Sequence, residues 1–447
     1  MSERFDVVVL GAGPGGRGAA GKLIAEGVSV AMLEGELVGG ECPFWACIPT
    51  KGLLRPVEAR AEAKRVPGMD APEPRWAEVR EYRDYLNSGL EDGAKVKAYQ
   101  EMGIEVIKEH GEITGPGKVR AGDRELEAGN IVIATGTLSA IPPIDGLDDV
   151  DYWTNREASA MKEIPSSIVV LGGGPVGIEF AQMLSRYGSE VTLVEGADRL
   201  LGREDPAVSE LMTELLREEG IDVRVGTRAD AVASDGNGGV RVTAGSDQVS
   251  AERLLVAVGR APRVEGIGLD TVGIEPGEKG IEVDQYCQAA EGIYAVGDVT
   301  GISPFTHVAS YQGWVASECI MGRGHVADYK AVPRVVFSDP EIAAVGLSAE
   351  QAREQGLDVA TAEVDISKAD RAETFGKDLK GRAGVVADRE RGVLVGAWAV
   401  CPLASEWIHA AVVAVKAEVA LETLRDSMMQ FPTFSELLLS AVRQVDA

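Results

Sequence analysis

Cys42 and Cys47 form the only close pair among the five cysteines of this 447-residue chain. Two thiols this near in sequence bind a metal, hold a structural disulfide or carry out redox chemistry. A zinc site would need another close Cys/His pair, and the four histidines are scattered. A structural disulfide would be unstable in a reducing compartment, and five cysteines are too few for a disulfide-rich secreted scaffold. The pair therefore indicates redox activity and no metal site.

The segment that carries the pair reads GGECPFWACIPTK over residues 39–51. Five helical residues rotate the chain by about 500°, which leaves the two side chains about 140° apart on an ideal helix. The two sulfur atoms can bond only if the helix is distorted between them. Pro43 and Pro49 are suited to that distortion because proline interrupts helical hydrogen bonding.

A sequence repeat provides the main evidence for the fold. The stretch VVVLGAGPGGRGAAGKLIAEGVSVAMLE, residues 7–34, returns as IVVLGGGPVGIEFAQMLSRYGSEVTLVE, residues 168–195. Six positions recur at constant spacing: Gly11, Gly13, Gly16, Ala20, Gly27 and Glu34, then Gly172, Gly174, Gly177, Ala181, Gly188 and Glu195. One G-x-G-x-x-G is a weak signal, but two copies that each follow an apolar strand and end at an acid predict two dinucleotide-binding units.

Each position in the fingerprint has a physical role. The first glycine permits a tight turn, the second lets the backbone approach a pyrophosphate, and the third lets the helix pack closely on the sheet. The pyrophosphate sits at the helix N-terminus, where free N–H groups favour negative charge. The final acid accepts hydrogen bonds from ribose, and at Glu195 it would repel the 2′-phosphate of NADPH. We therefore predict NADH, although Arg199 could weaken that preference.

The rest of the chain completes the architecture. Residues 131–136 and 254–259 resemble strands that end in a glycine turn, and each would close one nucleotide domain. From Ala331 the pattern changes to alternating strand-like runs and alanine-rich helices, which predicts a C-terminal α+β domain. The predicted fold class is α/β, with two Rossmann-like dinucleotide-binding domains and this C-terminal domain.

Charge and hydropathy limit the partners. A net charge of −27 argues against a nucleic acid or an anionic membrane as the main partner. The chain opens on a strand-like apolar run rather than a signal peptide, and no apolar run is long enough to cross a bilayer. We expect a cytoplasmic protein that acts on a small molecule, without membrane insertion or nucleic acid binding.

The cysteine segment resembles the G-G-x-C-x₄-C-[IV]-P-[ST]-K signature of the pyridine nucleotide–disulfide oxidoreductases. This family includes dihydrolipoamide dehydrogenase, glutathione reductase and mercuric reductase. The resemblance covers nearly the whole chain, because further family motifs occur as ATG at 134–136, AVGRAP at 257–262, YAVGD at 294–298 and FSDPE at 337–341.

The resemblance implies roles for particular residues. FAD would bind the first fingerprint, with Asp298 on its ribityl chain, and NAD(H) the second. Cys47 would lie nearest the flavin, and Cys42 would be the interchange thiol that meets the substrate. Lys51 and Glu179 would form an ion pair beside the flavin N5. The family is usually a homodimer in which the partner's C-terminal segment completes each active site.

The predicted sites and domains follow from these roles. The FAD site comprises Gly11, Gly13, Gly16, Glu34, Thr135, Gly136, Gly297 and Asp298, and the NAD site Gly172, Gly174, Gly177, Glu195 and Gly259. The catalytic set is Cys42, Cys47, Lys51, Glu179 and Glu436. The predicted domains are 1–150 with 265–328 for FAD, 151–264 for NAD(H), and 329–447 for the interface and dimerisation.

The C-terminal motif departs from the family pattern. Disulfide-reducing members carry His-Pro-Thr…Glu there, whereas this chain has QFPTFSE at 430–436, with Phe431 replacing the histidine and Glu436 retained. A phenyl ring cannot transfer a proton, and general acid–base help contributes roughly 10²–10⁴-fold. Mercuric reductase also has Phe-Pro here, but the chain ends VRQVDA without that enzyme's vicinal cysteines.

Three functional hypotheses remain open. The first is an NADH-dependent FAD enzyme that reduces a small disulfide or related electrophile through its cysteines. The second is an NADH:quinone, oxygen or metal-ion reductase that transfers electrons directly from flavin. The third is the dihydrolipoamide dehydrogenase of a 2-oxoacid complex, which the missing histidine disfavours. Phe44, Trp45 and Phe431 either form an aromatic rim at the disulfide or pack the helix and the dimer contact.

Overall fold

The structure is a computed structural model that describes residues 3–446. These residues group into two compact units. Unit 1 contains the residues up to Thr50 together with Glu81–Ala140 and Arg260–Asp328. Unit 2 contains Lys51–Arg80, Ile141–Gly259 and the residues from Tyr329 onward. The three domain boundaries given above remain a prediction.

The strands are numbered along the chain. Those before residue 140 are β1 (Glu3–Leu10), β2 (Val30–Leu33), β3 (Glu105–Ile107), β4 (Gly111–Gly115), β5 (Lys118–Ala121), β6 (Arg124–Ile133) and β7 (Thr137–Ser139). Next come β8 (Ser167–Leu171), β9 (Glu190–Val194), β10 (Asp222–Arg224), β11 (Ala229–Ser234), β12 (Val240–Ala244), β13 (Asp247–Ala251) and β14 (Arg253–Val256). The last are β15 (Arg260–Pro262), β16 (Gln288–Ala290), β17 (Ile293–Ala295), β18 (Pro333–Val336), β19 (Ile342–Gly346), β20 (Val359–Asp365), β21 (Arg382–Asp388) and β22 (Val393–Val400).

The α-helices are numbered in the same way. The first are α1 (Pro14–Ala25), α2 (Glu41–Phe44), α3 (Cys47–Arg65), α4 (Trp76–Leu86), α5 (Gly93–Glu101), α6 (Asn155–Ser159), α7 (Pro175–Arg186) and α8 (Pro206–Glu218). The others are α9 (Thr306–Ile320), α10 (Ala349–Glu354), α11 (Arg371–Phe375), α12 (Ala404–Trp407), α13 (His409–Lys416), α14 (Leu421–Asp426) and α15 (Glu436–Gln444). Short 3₁₀ turns occupy Ser88–Leu90, Leu147–Asp149, Leu269–Val272, Asp298–Thr300 and Ile366–Lys368.

Unit 1 is built on a sheet in the order β16-β17-β6-β1-β2-β3, with the β4–β5 hairpin attached through β6. Strand β1 pairs in parallel with both β2 and β6. The apolar run at 7–10 is fully buried, because α1 and α9 cover one face of β1 and the β4–β5 hairpin covers the other. Helix α1 leaves the carboxyl end of β1, and α9 packs against α1. The carboxyl ends of these strands are the edge where parallel sheets bind ligands.

Unit 2 repeats this plan and adds another sheet. Strands β10-β9-β8-β14 form a parallel sheet, and α7 follows β8 as α1 follows β1. An antiparallel sheet, β11-β12-β13, packs beside it through the core of Val169, Val242 and Leu254. The C-terminal part is a five-stranded antiparallel sheet in the order β18-β19-β22-β21-β20, with helices packed on it.

The predicted fold class is confirmed. Both copies of the repeat form a parallel β-α-β unit, and the segment from Ala331 onward forms an antiparallel sheet with helices. The predicted strands at 131–136 and 254–259 correspond to β6 and β14, which pair with β1 and β8. Between residues 3 and 446 no helix has both the length and the apolar character needed to cross a bilayer.

Candidate active site

The first fingerprint forms a tight turn between β1 and α1. A Cβ atom added at Gly16 would lie 2.0 Å from the carbonyl oxygen of Gly11, so no other residue fits without moving the backbone. A Cβ at Gly13 would meet nothing within 4 Å, and Gly13 is the N-cap of α1 without any side-chain capping bond. The turn therefore presents open space in front of uncapped helical N–H groups.

The second fingerprint reproduces this geometry in unit 2. A Cβ at Gly177 would lie 1.8 Å from the carbonyl oxygen of Gly172, and Gly174 is the uncapped start of α7 with open space before it. Gly11 and Gly172 have matching left-handed φ values of +101° and +108°. Each turn fits the pyrophosphate of a dinucleotide, which would bind the free N–H groups and the positive end of the helix dipole.

The two acids at the ends of the repeats are held in the same way. Glu34 Oε2 accepts the N–H of Ala12 at 2.9 Å, and Oε1 accepts that of Glu36 at 2.8 Å. Glu195 Oε2 accepts the N–H of Gly173 at 2.6 Å, and Oε1 that of Ala197 at 2.6 Å. These bonds fix each carboxylate beside its glycine turn. A carboxylate has further lone pairs, so each can still accept hydrogen bonds from ribose hydroxyls.

The other predicted nucleotide residues lie at strand ends. Thr135 follows β6 and donates its hydroxyl to the carbonyl oxygen of Arg263 at 2.7 Å, and Gly136 has a left-handed φ of +72°. Gly297 donates its N–H to Gln312 Oε1 at 2.7 Å. In unit 2, Gly259 follows β14 with a φ of +152°. All four follow the carboxyl ends of parallel strands, and their roles in nucleotide binding remain a prediction.

Asp298 belongs to a polar cluster in unit 1. Its Oδ2 accepts the hydroxyl of Thr137 at 3.1 Å, and that hydroxyl accepts Arg260 Nε at 2.9 Å. Burial raises the pKa of Asp298, and the positive charge of Arg260 offsets part of that rise. Arg260 also lies 3.9 Å from Glu41, the residue before Cys42. The cluster therefore joins the β17 end to the start of the cysteine segment.

The predicted distortion between the two cysteines is present. Cys42 lies in the short helix α2 and Cys47 begins α3, with Trp45 between them at φ −132° and ψ −6°. This break brings the two side chains close enough to interact directly. Both side chains are half-buried. The geometry therefore brings both sulfur atoms together at a place that a small molecule can reach.

The thiols affect each other's ionisation. The hydrogen bond to Cys47 is the largest cause that raises the pKa of Cys42, and burial adds to it. A hydrogen bond from Thr306 and the positive charge of Arg17 act in the opposite direction. Cys42 therefore keeps its proton while it is bonded to Cys47, and nearby positive charge favours its thiolate, which is the nucleophilic form.

Thr306 is a site residue that the sequence did not reveal. It begins α9, and its Oγ1 lies 3.5 Å from Cys47 Sγ. Its neighbour His307 stacks on Phe305 with ring centroids 5.2 Å apart. The contact joins positions more than 200 residues apart in the chain, and no local motif could predict it. The only available signal was the polar residue at a helix start after the YAVGD motif.

Lys51 and Glu179 are brought together, as the resemblance implies. Lys51 Nζ lies 2.7 Å from Glu179 Oε2, and Glu179 is only 6% exposed. Glu179 Oε1 also accepts the N–H of Phe337 at 2.9 Å. The Lys51 ammonium lies 4.5 Å from the centroid of the Phe337 ring. The carboxylate and the aromatic ring therefore hold the cation at a defined position on α3.

The C-terminal motif gives a mixed outcome. Glu436 begins α15, and its carboxylate accepts the N–H of Thr433 at 3.1 Å. Phe431 is 70% exposed, whereas Phe44 is fully buried and contacts Trp45 and Lys95. The suggested aromatic rim is therefore wrong for Phe44, because that ring faces the protein core.

Comparison with known proteins agrees with this geometry. Residues 5–313 match the family described as pyridine nucleotide-disulphide oxidoreductase. Residues 332–442 match the dimerisation domain of the same family. The first match contains both fingerprints and the cysteine segment, and the second contains the five-stranded antiparallel sheet of unit 2. Together they account for most of the chain.

Similar proteins cover almost its full length. A mercuric reductase of Streptomyces lividans is 35% identical over 457 residues, covering 98% of this chain and 96% of that protein. A dihydrolipoyl dehydrogenase of Halobacterium salinarum is 34% identical, covering 99% and 96%. Among solved structures, the HOCl-induced flavoprotein disulfide reductase RclA from Escherichia coli gives a TM-score of 0.88 at 27% identity, covering 98% and 100%.

These findings establish the class of enzyme. Members of the matched family are flavoenzymes that use FAD and NAD(P)H as cofactors. The matched dimerisation domain supports a homodimer. Each of the two glycine turns could hold a dinucleotide. The chain belongs to the pyridine nucleotide-disulphide oxidoreductase family.

Proposed function

We propose that this chain is an FAD-dependent NADH oxidoreductase that reduces a small disulfide or related electrophile through Cys42 and Cys47. The observation that carries the proposal is that the break between α2 and α3 brings the two thiols close enough to affect each other's ionisation. A pair that is already in contact can form and break a disulfide without moving the backbone far. Bound FAD and NADH would supply the two electrons that reduce this disulfide to the dithiol.

The chain's own residues would then complete the reaction. The Cys42 thiolate attacks one sulfur of the acceptor RSSR, forms a mixed disulfide and expels the first RS⁻. Cys47 attacks the Cys42 sulfur, expels the second RS⁻ and restores the Cys42–Cys47 disulfide. The balance is NADH + H⁺ + RSSR → NAD⁺ + 2 RSH. Thr306 contacts both thiols and would orient them for the two attacks.

Phe431 limits the acceptors that this site would serve. We propose that the C-terminal segment completes the site of the partner subunit, and the 70% exposure of this large apolar ring supports a role at an interface. Phenylalanine cannot donate a proton to a departing thiolate. The acceptor would therefore carry a leaving group that is stable as an anion, such as an aromatic thiolate, because a leaving thiol of low pKa departs faster.

NADH preference rests on the position of Glu195. Two N–H bonds fix its carboxylate beside the glycine turn, and a negative charge there would repel the 2′-phosphate of NADPH. Arg199 is engaged elsewhere, since it donates to the carbonyl oxygen of Gly202 at 3.0 Å and lies 3.7 Å from Glu350. The arginine that could have weakened the preference therefore has other partners.

Replacing Glu195 with alanine should raise the NADPH/NADH ratio of kcat/KM by about tenfold, because a repulsive charge is removed. The ratio is measured from steady-state rates with both nucleotides. Glu190→Gln is a matched control, because Glu190 is an exposed acid on the same strand β9. An unchanged ratio in the Glu195 variant, or a wild-type preference for NADPH, would contradict the assignment.

An anaerobic NADH titration of the flavoprotein tests the proposed function itself. With the cysteines in the path, two electrons should produce a long-wavelength absorption band, and four electrons should be needed for complete reduction. The extra two electrons are those held by the Cys42–Cys47 couple. Complete bleaching with two electrons would instead favour direct transfer from flavin to a quinone or oxygen.

A further inference from the structure

Two basic side chains, those of Arg17 and Lys95, lie near the helix that carries Cys42. The N–H of Gly39 donates to the carbonyl oxygen of Ala12 at 3.0 Å, and a Cβ at Gly40 would lie 2.8 Å from Gly13 Cα. The start of α2 therefore rests on the start of α1. Arg17 lies in the first turns of α1. Lys95 Nζ, from α5, lies 4.3 Å from the centroid of the Phe44 ring, and Phe44 is the last residue of α2.

Arg17 is placed unlike an ordinary surface arginine. Its side chain is half-buried, and its Nε atom is buried without a hydrogen-bond partner among the described residues. An unpaired buried polar atom is unfavourable, because it has lost its hydrogen bonds to water and gained none in return. The positive charge of Arg17 acts on Cys42 and opposes part of the rise in the pKa of that thiol. An arginine with an unpaired buried nitrogen atom therefore lies near the proposed interchange thiol.

The protonated form of Lys95 is also in an unfavourable environment. Burial lowers the pKa of Lys95, and the charge of Arg17 lowers it further, so the two cations repel each other. Asp92 counters this only in part, and its carboxylate already pairs with Lys108 and the N–H of Val38. Within residues 3–446 neither Arg17 nor Lys95 forms an ion pair with a carboxylate. Two adjacent cations without a counter-ion are unusual in a chain of net charge −27.

We propose that Arg17 and Lys95 bind an anionic group of the electron acceptor and hold it beside Cys42. The proposal rests on the proposed function and adds the substrate class: a small disulfide, or an equivalent sulfur electrophile, that carries a carboxylate, sulfonate or similar anion. An anion would relieve the repulsion between the two cations and supply the counter-ion that they lack. The positive charge would also stabilise the thiolate expelled by Cys42.

The two cations could instead bind the pyrophosphate of FAD, and the experiment distinguishes an anion of the acceptor from the anion of the cofactor. Two chromogenic aromatic disulfides are compared with NADH as donor: dianionic dithiobis(nitrobenzoate) and neutral dithiodipyridine. NADH supplies two electrons to each disulfide, which is cleaved to two equivalents of free thiol or thiolate. The quantity measured is the ratio of kcat/KM for the anionic disulfide to that for the neutral one. The flavin content of each purified variant is measured in parallel.

Arg17→Gln and Lys95→Gln should each lower this ratio by about tenfold, and the double variant by more, because each removes one charge at the anion. Arg17→Lys should retain most of the ratio, which distinguishes charge from packing. Lys97→Gln is the matched control, since Lys97 is an exposed lysine on the same helix α5, with 77% side-chain exposure. It should leave the ratio unchanged.

An unchanged ratio in the double variant would overturn the proposal, and flavin loss with an unchanged ratio would assign the two cations to FAD. Failure of the proposed function would look different. In that case either the wild-type enzyme reduces neither disulfide, or a Cys42→Ser variant still reduces both. Either result would contradict the proposed function and the anionic-acceptor proposal together. Reduction through Cys42 with no change in the ratio would contradict the substrate class alone.

Discussion

Cys42→Ser should abolish NADH-dependent reduction of an aromatic disulfide, with a loss of kcat of at least about 10³-fold. Catalytic residues that act together are not additive, so the loss of the nucleophile alone removes nearly all of the rate enhancement. A serine hydroxyl cannot form the mixed disulfide, and it is not ionised near neutral pH. Cys42 lies in the short helix α2, apart from Cys47 in α3, and the positive charge of Arg17 acts on its thiol. The measurement is single-turnover and steady-state thiol release.

The matched control for this variant is Cys319→Ser. Cys319 lies in α9 of the same unit. Its Sγ lies 3.7 Å from the carbonyl oxygen of His325, so its hydrogen-bond partner is not one of the two redox cysteines. It should retain wild-type turnover. If Cys42→Ser reduced disulfides at the wild-type rate, electrons would have to leave the flavin directly. Quinone reduction that persists in this variant would then identify the principal activity.

The sequence predicted those parts of the site that depend on local geometry. Gly16 and Gly177 are required because any Cβ there would collide with the backbone of the same turn, so the fingerprint and its structure are inseparable. The break between Cys42 and Cys47 followed from helix rotation alone. The Lys51–Glu179 pair needed the family resemblance, because its partners lie 128 residues apart.

The parts that sequence reasoning missed are set by packing between distant segments. Thr306 reaches Cys47 because α9 packs on α1, and Lys95 reaches Phe44 because α5 lies beside α2. No periodicity or spacing encodes such contacts. The aromatic rim failed for the same reason: composition places Phe44 near the cysteines, but only the structure shows that its ring is fully buried.

Glu179→Gln should slow flavin reduction by NADH by about 10²-fold, because it removes one of the fixed charges that organise the site. Glutamine can still accept the N–H of Phe337, so the backbone contact is kept while the Lys51 ammonium loses its charged partner. The loss of a charge-assisted hydrogen bond should also lower the free energy of unfolding by about 1.5–3 kcal/mol. Stopped-flow absorbance measures the first effect and thermal unfolding the second.

Glu204→Gln separates the functional effect from the structural one. Glu204 pairs with Arg334 at 2.7 Å in the same unit, and the pair is buried to a similar degree as Lys51 with Glu179. Its loss should cost comparable stability without slowing flavin reduction, because neither partner belongs to the proposed site. If both glutamine variants slowed flavin reduction equally, the Lys51–Glu179 pair would be a structural ion pair. A rate loss confined to Glu179→Gln would mean that this carboxylate keeps Lys51 in position for hydride transfer.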